Sequence, residues 1–302
     1  QMALTETTHA GGHILSEPDG NRGRENGTLA SGQDLAAGAV LGRITKVQAA
    51  GPIPTISGTG TGAMTALSFG PDVRVGVYTI TLLATSATAA FSVTAPDGTV
   101  LPNGAVGTAY VSTHASFLIS SAGTMTIGDS YALTVTASGT PAIVGTGTGL
   151  MSAISLGPDA QNGGYRVNIL ATSATGEFEV IAPDGTKLKR GQIATAYASS
   201  HINFTIANGG TMTAGDYYNI VVAKPAAGSD KFTALAPTTY NGSHIASGVL
   251  YAAVDATSAA KPCVVSVRNT KCNANELVWP TLGTAAKATA TAQLAAKGIT
   301  LH

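Results

Sequence analysis

Through the middle of the chain, apolar and polar residues alternate with a period of two. Tyr78, Ile80 and Leu82 are separated by Thr79 and Thr81, and Phe91 and Val93 by Ser92. Phe117 and Ile119, then Tyr131, Leu133 and Val135, follow the same rule. Successive side chains of a strand point to opposite faces, so this period predicts sheets with one buried face. The apolar set returns further on as Tyr165, Val167, Ile169; Phe178, Val180; Phe204, Ile206; and Tyr218, Ile220, Val222. Its polar partners change freely, to Arg166, Asn168, Glu177 and Glu179. A buried face constrains a residue and a solvated face does not. Ala95-Pro96-Asp97-Gly98 is a turn by its chemistry, because Pro presets φ and Gly accepts positive φ.

The return is a repeat. Gly58-Thr59-Gly60-Thr61-Gly62 recurs as Gly145-Thr146-Gly147-Thr148-Gly149, His114 as His201 and Asp129 as Asp216, with a constant offset of 87. One small domain is therefore used twice in tandem. Each copy predicts about six or seven short strands, the number of a small immunoglobulin-like β-sandwich. The copies are assigned to residues 51–140 and 141–228, joined at Ser138-Gly139-Thr140-Pro141. The unrepeated ends are each short for an independent core. They are expected to form one discontinuous domain, 28–50 plus 229–302, into which the repeats are inserted. Val40 to Thr45 should pair antiparallel with the segment around Lys231-Phe232-Thr233. Gly248 to Val254 and Cys263 to Arg268 read as strands. The one helix expected is Ala-rich, N-capped by Thr284 and closed by Gly298 at C′. The fold class is mainly β: a split β-rich domain with a short C-terminal helix, interrupted by two tandem β-sandwiches. Residues 1–27 are polar and aperiodic apart from Ile14-Leu15, and are expected to be a mobile arm.

Composition narrows the classes. Sixteen basic and sixteen acidic residues cancel, which gives no electrostatic case for nucleic acid or an anionic membrane. Only 11% of the residues are charged. A near-neutral surface of Thr, Ser and Gly is poorly protected against association, which suits a subunit of an assembly. No window approaches the 18 apolar residues of a membrane span. Residues 1–27 contain no apolar run of signal-peptide length. Cys263 and Cys272 are either free thiols or a bridge between adjacent strands.

Catalytic constellations are missing: there is no nucleophile elbow, zinc-type His pair, paired Cys-x-x-Cys or phosphate loop. The repeated Gly-Thr-Gly-Thr-Gly lacks a strand–helix context and reads as a strand edge or bend. Asp72/Asp159, Asp97/Asp184 and Asp129/Asp216 have the chemistry for calcium, but each sits beside Gly in a turn, which explains it without a metal. His114 and His201 read as hydrogen-bonded structural residues. No enzyme, cofactor or metal is expected.

Taken together, Ile14-Leu15-Ser16-Glu17, Ser31 through Gly42, Gly248-Val249-Leu250-Tyr251, Glu276-Leu277-Val278-Trp279-Pro280 and Gly298-Ile299-Thr300-Leu301 resemble the lambda-type bacteriophage head decoration proteins. The resemblance covers the two ends and not the repeats. It implies a homotrimer of a small β-rich domain on the outer surface of the virion, made in the host cytoplasm. It implies seats at local three-fold positions of an expanded head, cementing the major capsid protein against internal DNA pressure. It makes residues 1–27 a capsid-binding arm with Ile14, Leu15, Ser16 and Glu17 at its centre. Leu277, Val278, Trp279 and Pro280 are expected in the trimer contact or core; Trp279, the one Trp and set in an apolar run, is expected to be mostly buried at or near that contact. The repeats would project outward, free to meet a host-surface ligand. A tandem-sandwich adhesin or carbohydrate-binding surface protein is the other reading, with Tyr110 and Tyr197 as its only aromatic seeds.

Overall fold

A computed structural model of the chain describes residues 9–50, 55–137 and 139–302. The chain divides into two compact units. The first takes the chain up to Thr45 and again from Ser229 to His302; the second is Lys46–Gly228. The protein is mainly β, with one α-helix near its C-terminus among the described residues.

The first unit is built on a closed five-stranded barrel. Its strands run in the order Arg24–Leu29, Phe232–Ala234, Val40–Arg43, Ala246–Leu250 and Lys261–Ser266. Closure leaves this sheet without a free edge. Alternation sorts the side chains to two cores. Leu29, Leu41, Phe232, Leu250 and Val265 fill one cluster, while the neighbouring Val40 and Val249 join Leu277, Leu294 and Ile299 in another. Residues 37–42 are buried without a break because both faces of that strand are covered. The expected pairing of the two ends is present: Phe232, Thr233 and Ala234 oppose Arg43, Gly42 and Leu41, antiparallel. The Ile44 N–H extends it by donating to the Lys231 carbonyl at 2.9 Å.

The helix spans Thr284–Ala295. Gly283, not Thr284, holds its N-cap position, and no side chain caps it. Its end follows expectation. The N–H groups of Gly298 and Ile299 donate to the carbonyls of Ala295 and Leu294, with Gly298 at φ 76°. That is the Schellman pattern, with its customary apolar contact supplied by buried Leu294 and Ile299. The Gln293 side-chain carbonyl accepts from the Ala246 N–H at 2.7 Å, which ties the helix to the barrel.

In the second unit each copy has seven strands at matching positions, from Thr55–Ser57 to Ser130–Ala137 and from Ile143–Val144 to Tyr217–Ala223. In the first copy a larger sheet faces the pair Met64–Phe69 and Ala115–Ile119, and one core takes side chains from both. The second copy repeats this around Tyr165, Phe178, Phe204 and Tyr218. The copies are not beads on a string. The strand Val47–Ala50, expected within the split domain, lies instead in the second unit. It pairs antiparallel with the last strand of both copies, Ala49 opposing Ala137 on one side and Val221 on the other. The result is a single eleven-stranded sheet. The last strand of the second copy is buried on both faces: Ile220 and Val222 enter its own core, Val221 and Ala223 that of the first copy. Lys224 closes the seam, its Nζ 2.7 Å from an Asp72 carboxylate oxygen.

The expectation of a mobile arm over 1–27 is corrected from His9 onward; residues 1–8 lie outside the described residues. Ile14–Ser16 is a strand, and Arg24–Leu29 is already a barrel strand. The sequence misled because Arg24 to Thr28 carries almost no apolar signal. Its neighbour Lys261–Ser266 supplies a six-residue ladder, Arg24 opposing Ser266 through to Leu29 opposing Lys261.

Candidate functional site

One segment read from the sequence as functional, Ile14 to Glu17, begins on a small three-stranded sheet of the first unit. Ile14–Ser16 is the outer strand, Lys271–Cys272 the middle one and Thr300–Leu301 the far edge. Ile14 opposes Cys272, and the Asn273 N–H donates to the His13 carbonyl at 2.8 Å. A second anchor comes from Gly11, whose N–H donates to the Tyr251 carbonyl at 2.8 Å. A third comes from Glu17, which accepts from the Arg24 guanidinium at 2.9 Å while that group lies 3.9 Å from the Tyr251 ring centre. The segment turns Ile14 partly inward and leaves Leu15 57% exposed. Its outer edge has no strand partner among the described residues.

Six residues beyond Cys272 the chain runs parallel to the start of the barrel strand Val40–Arg43, with Val278 opposite Ala39. Val278 donates to the Gly38 carbonyl at 2.9 Å and accepts from the Val40 N–H at 3.0 Å. The approach is so close that a Cβ on Gly38, at φ 82°, would lie 2.3 Å from the Glu276 carbonyl oxygen, so glycine is required there. Leu277 is buried in one cluster with Val40 and Leu294. Val278 is 40% exposed and Pro280 half-buried. Trp279 is half-buried in the single chain, packed partly against this cluster, and the Lys287 ammonium sits 5.3 Å from its ring centre.

Compared with known families, residues 3–299 match the sequence model of the bacteriophage lambda head decoration protein D family. The chain belongs to that family. A search of curated proteins finds no match to it. The match runs across the repeats as well as the ends. The protein is therefore a structural protein of phage heads, and capsid binding is its role.

The remaining candidate residues of this decoration protein are occupied by the fold. The Asp129 carboxylate accepts from the Thr59 N–H at 3.1 Å and the Gly60 N–H at 2.7 Å; Asp216 repeats this with Thr146 and Gly147 at 3.2 and 2.7 Å. A Cβ on Gly58 or Gly145 would come within 1.9 Å of the carboxylate oxygen. The glycine-rich motif bends the chain just after a short strand, within the strand edge or bend expected, and there forms a backbone cradle for a buried carboxylate. Asp72 pairs with Lys224, and Asp97 accepts from the Thr99 N–H and faces Arg74 at 3.4 Å. Tyr78 and Tyr165 hydroxyls sit 3.3 and 3.1 Å from the Nδ1 atoms of His114 and His201. Each hydroxyl also accepts a backbone N–H at 2.8 Å, which leaves its own proton for the imidazole. Tyr110 and Tyr197, the seeds of a sugar-binding platform, are buried against Phe117 and Phe204. Cys263 and Cys272 are free and lie in different clusters. Burial pushes the Cys272 thiol up to about 11, so it stays protonated at neutral pH. The Glu17–Arg24–Tyr251 clamp was not read from the sequence; the only signal available was a charge pair flanking a turn at Pro18 to Gly23.

Proposed function

We propose that the protein is a cementing subunit that binds the outside of an expanded phage head as a homotrimer at local three-fold positions. There it contacts the major capsid protein and stabilises the shell against internal DNA pressure. The observation that carries this reading is the family match together with the barrel formed by the two ends of the chain. The two ends close one barrel, and the repeats leave after Thr45 and return at Ser229, beside a pair of hydrogen-bonded strands. Such a hairpin end tolerates insertion without loss of the parent fold. The repeats, read as immunoglobulin-like sandwiches, then project outward, and Leu277 to Pro280 border the subunit contact.

The capsid contact is assigned to Ile14, Leu15, Ser16 and Glu17, in a form different from a free arm. The segment is already a strand with an open edge, so a capsid strand can add to it without first ordering the receiver. Covering Leu15 contributes on the order of 1–2 kcal/mol, and each backbone hydrogen bond about 0.5–1.5 kcal/mol. One site is weak. Three on one trimer raise affinity by about 10²–10⁴. The test is Leu15→Glu, an exposed change that leaves the melting temperature in place. Its occupancy on expanded heads lacking the protein should fall by about 10²-fold or more. Wild-type occupancy by this variant, or equal binding of the wild type to unexpanded shells, would overturn the assignment.

A further inference from the structure

The chain holds five Asn-Gly pairs: Asn26-Gly27, Asn103-Gly104, Asn162-Gly163, Asn208-Gly209 and Asn241-Gly242. Such a pair can react with itself. The glycine backbone nitrogen attacks Cγ of the asparagine carboxamide, the amide nitrogen leaves as ammonia, and a five-membered succinimide forms. Water then opens the ring at either carbonyl, giving aspartate or isoaspartate. Glycine permits the attack because no Cβ shields its nitrogen. Closure also needs a backbone free to rotate until nitrogen and Cγ meet. A laddered strand or a packed turn resists that rotation, so the fold decides which pair reacts.

Four of the five pairs are held. Asn26-Gly27 lies in the barrel ladder opposite Val264 and Cys263, and a Cβ on Gly27 would come within 2.6 Å of the Phe232 ring. Gly104 opposes Phe91 in a ladder and is pressed against that ring. Asn162 is half-buried with its Oδ1 shielded from solvent, and Gly163 opposes Val222 in a ladder. The Asn241 Oδ1 accepts from the Ser243 N–H at 3.0 Å and from the Ser243 hydroxyl at 2.7 Å. A Cβ on Gly242 would lie 2.6 Å from the Arg43 carbonyl oxygen, so that turn is packed as well.

Asn208-Gly209 is held by none of these devices. Both residues are exposed and lie in a turn outside any ladder. The space that a Cβ on Gly209 would enter is empty to 4 Å. The first copy shows what this turn lacks. There the equivalent pair is Ser121-Ala122, and the Ser120 hydroxyl oxygen accepts from the Ala122 N–H at 3.2 Å. In the second copy the place of that serine is taken by Ala207, so the Gly209 N–H has no acceptor among the described residues. The carboxamide and the untethered nitrogen that attacks it thus occur together, one repeat after a turn that has neither.

We infer that Asn208 is a deamidation site, converted through a succinimide with Gly209 to aspartate or isoaspartate, with water consumed and ammonia released. The reaction needs no enzyme and no partner. It speeds up as pH rises, because the attacking nitrogen must lose its proton. The product carries one more negative charge, on an exposed turn of a chain whose formal net charge is +0.

The test incubates the full chain in mildly alkaline buffer at physiological temperature and maps its peptides by mass spectrometry, where each deamidation adds about 1 Da. A parallel sample in denaturant frees all five pairs. In the folded chain position 208 should react at least about tenfold faster than any other pair, the factor that about 1.4 kcal/mol of local opening imposes on a held site. In denaturant the five rates should converge, since every pair has the same glycine. Ala207→Ser restores the tether of the first copy and should slow the folded reaction while leaving the denatured one unchanged. Asn208 intact in the folded chain after the denatured sample has converted would overturn the assignment, and so would another pair reacting ahead of it. An unchanged folded rate in Ala207→Ser would overturn the tether as the cause. No capsid enters the measurement, so its outcome is independent of the cementing reading.

Discussion

His13 shows how one residue can make the small sheet sensitive to acid. It is buried, and neither ring nitrogen has a hydrogen-bond partner. Burial first and the nearby Arg24 second lower its pKa to about 4, with Glu17 partly opposing them. The folded state thus holds His13 neutral, whereas the unfolded chain protonates it near its ordinary value of 6.5. Its contribution is fully present above pH 6.5 and is lost as pH falls from there to about 4, by on the order of 3 kcal/mol in all. Replacing His13 with Phe should flatten the fall in melting temperature of the barrel unit across that window relative to the wild type. Parallel pH profiles for the two proteins would refute the account. Trp279 belongs at the same scale. Half-buried in the single chain, it should lose less on truncation to Ala than the about 3–5 kcal/mol of a fully buried aromatic, as read from a denaturant melt.

At the scale of elements, the last strands of the two copies differ in a way that a repeat alone would not require. Leu133-Thr134-Val135-Thr136 alternates, whereas Ile220-Val221-Val222-Ala223 is apolar throughout. An unbroken apolar run marks a strand covered on both faces. The structure supplies the reason, because Val221 and Ala223 complete the core of the preceding copy. Val221→Thr with Ala223→Thr, the first copy's own residues, should destabilise the first copy as well as the second. The expected loss is about 1–3 kcal/mol, from buried hydroxyls without partners. Hydrogen exchange at Tyr78, Phe91 and Tyr131 would report it. Unchanged protection in the first copy would contradict a shared core. The helix end was legible because Gly298 is a local signal, while the N-cap was not, because nothing in Gly283-Thr284 distinguishes which of the two flanks the first turn.

At the scale of the whole molecule, the two units are separate folding problems joined by two chain crossings, after Thr45 and before Ser229. Replacing 46–228 with a short glycine linker should leave a folded barrel unit, because its ladders and clusters come from residues outside that stretch. Circular dichroism and a cooperative melt would check it, and an unfolded product would refute it. The excised Lys46–Gly228 should melt as one transition, since Val47–Ala50 is hydrogen-bonded to both copies.

Much of this was decided in the sequence. The period-2 alternation set the strands of both copies, the constant offset set their equivalence, and the ordered motifs of the ends carried the family. These signals are local or self-referential, and they survive without knowledge of what packs on what. What only the tertiary structure decided depends on neighbours distant in the chain. Arg24 to Thr28 is a strand because Pro262 to Ser266 completes its ladder, not because of its own pattern. Val47–Ala50 belongs with the repeats because two strands far along the chain pair with it. The Gly-Thr-Gly-Thr-Gly motif is a cradle because an aspartate some 70 residues onward needs its N–H groups. A strand's partner, a buried charge's donors and the covering of a second face are fixed by which surfaces meet, and periodicity along one chain carries no information about that.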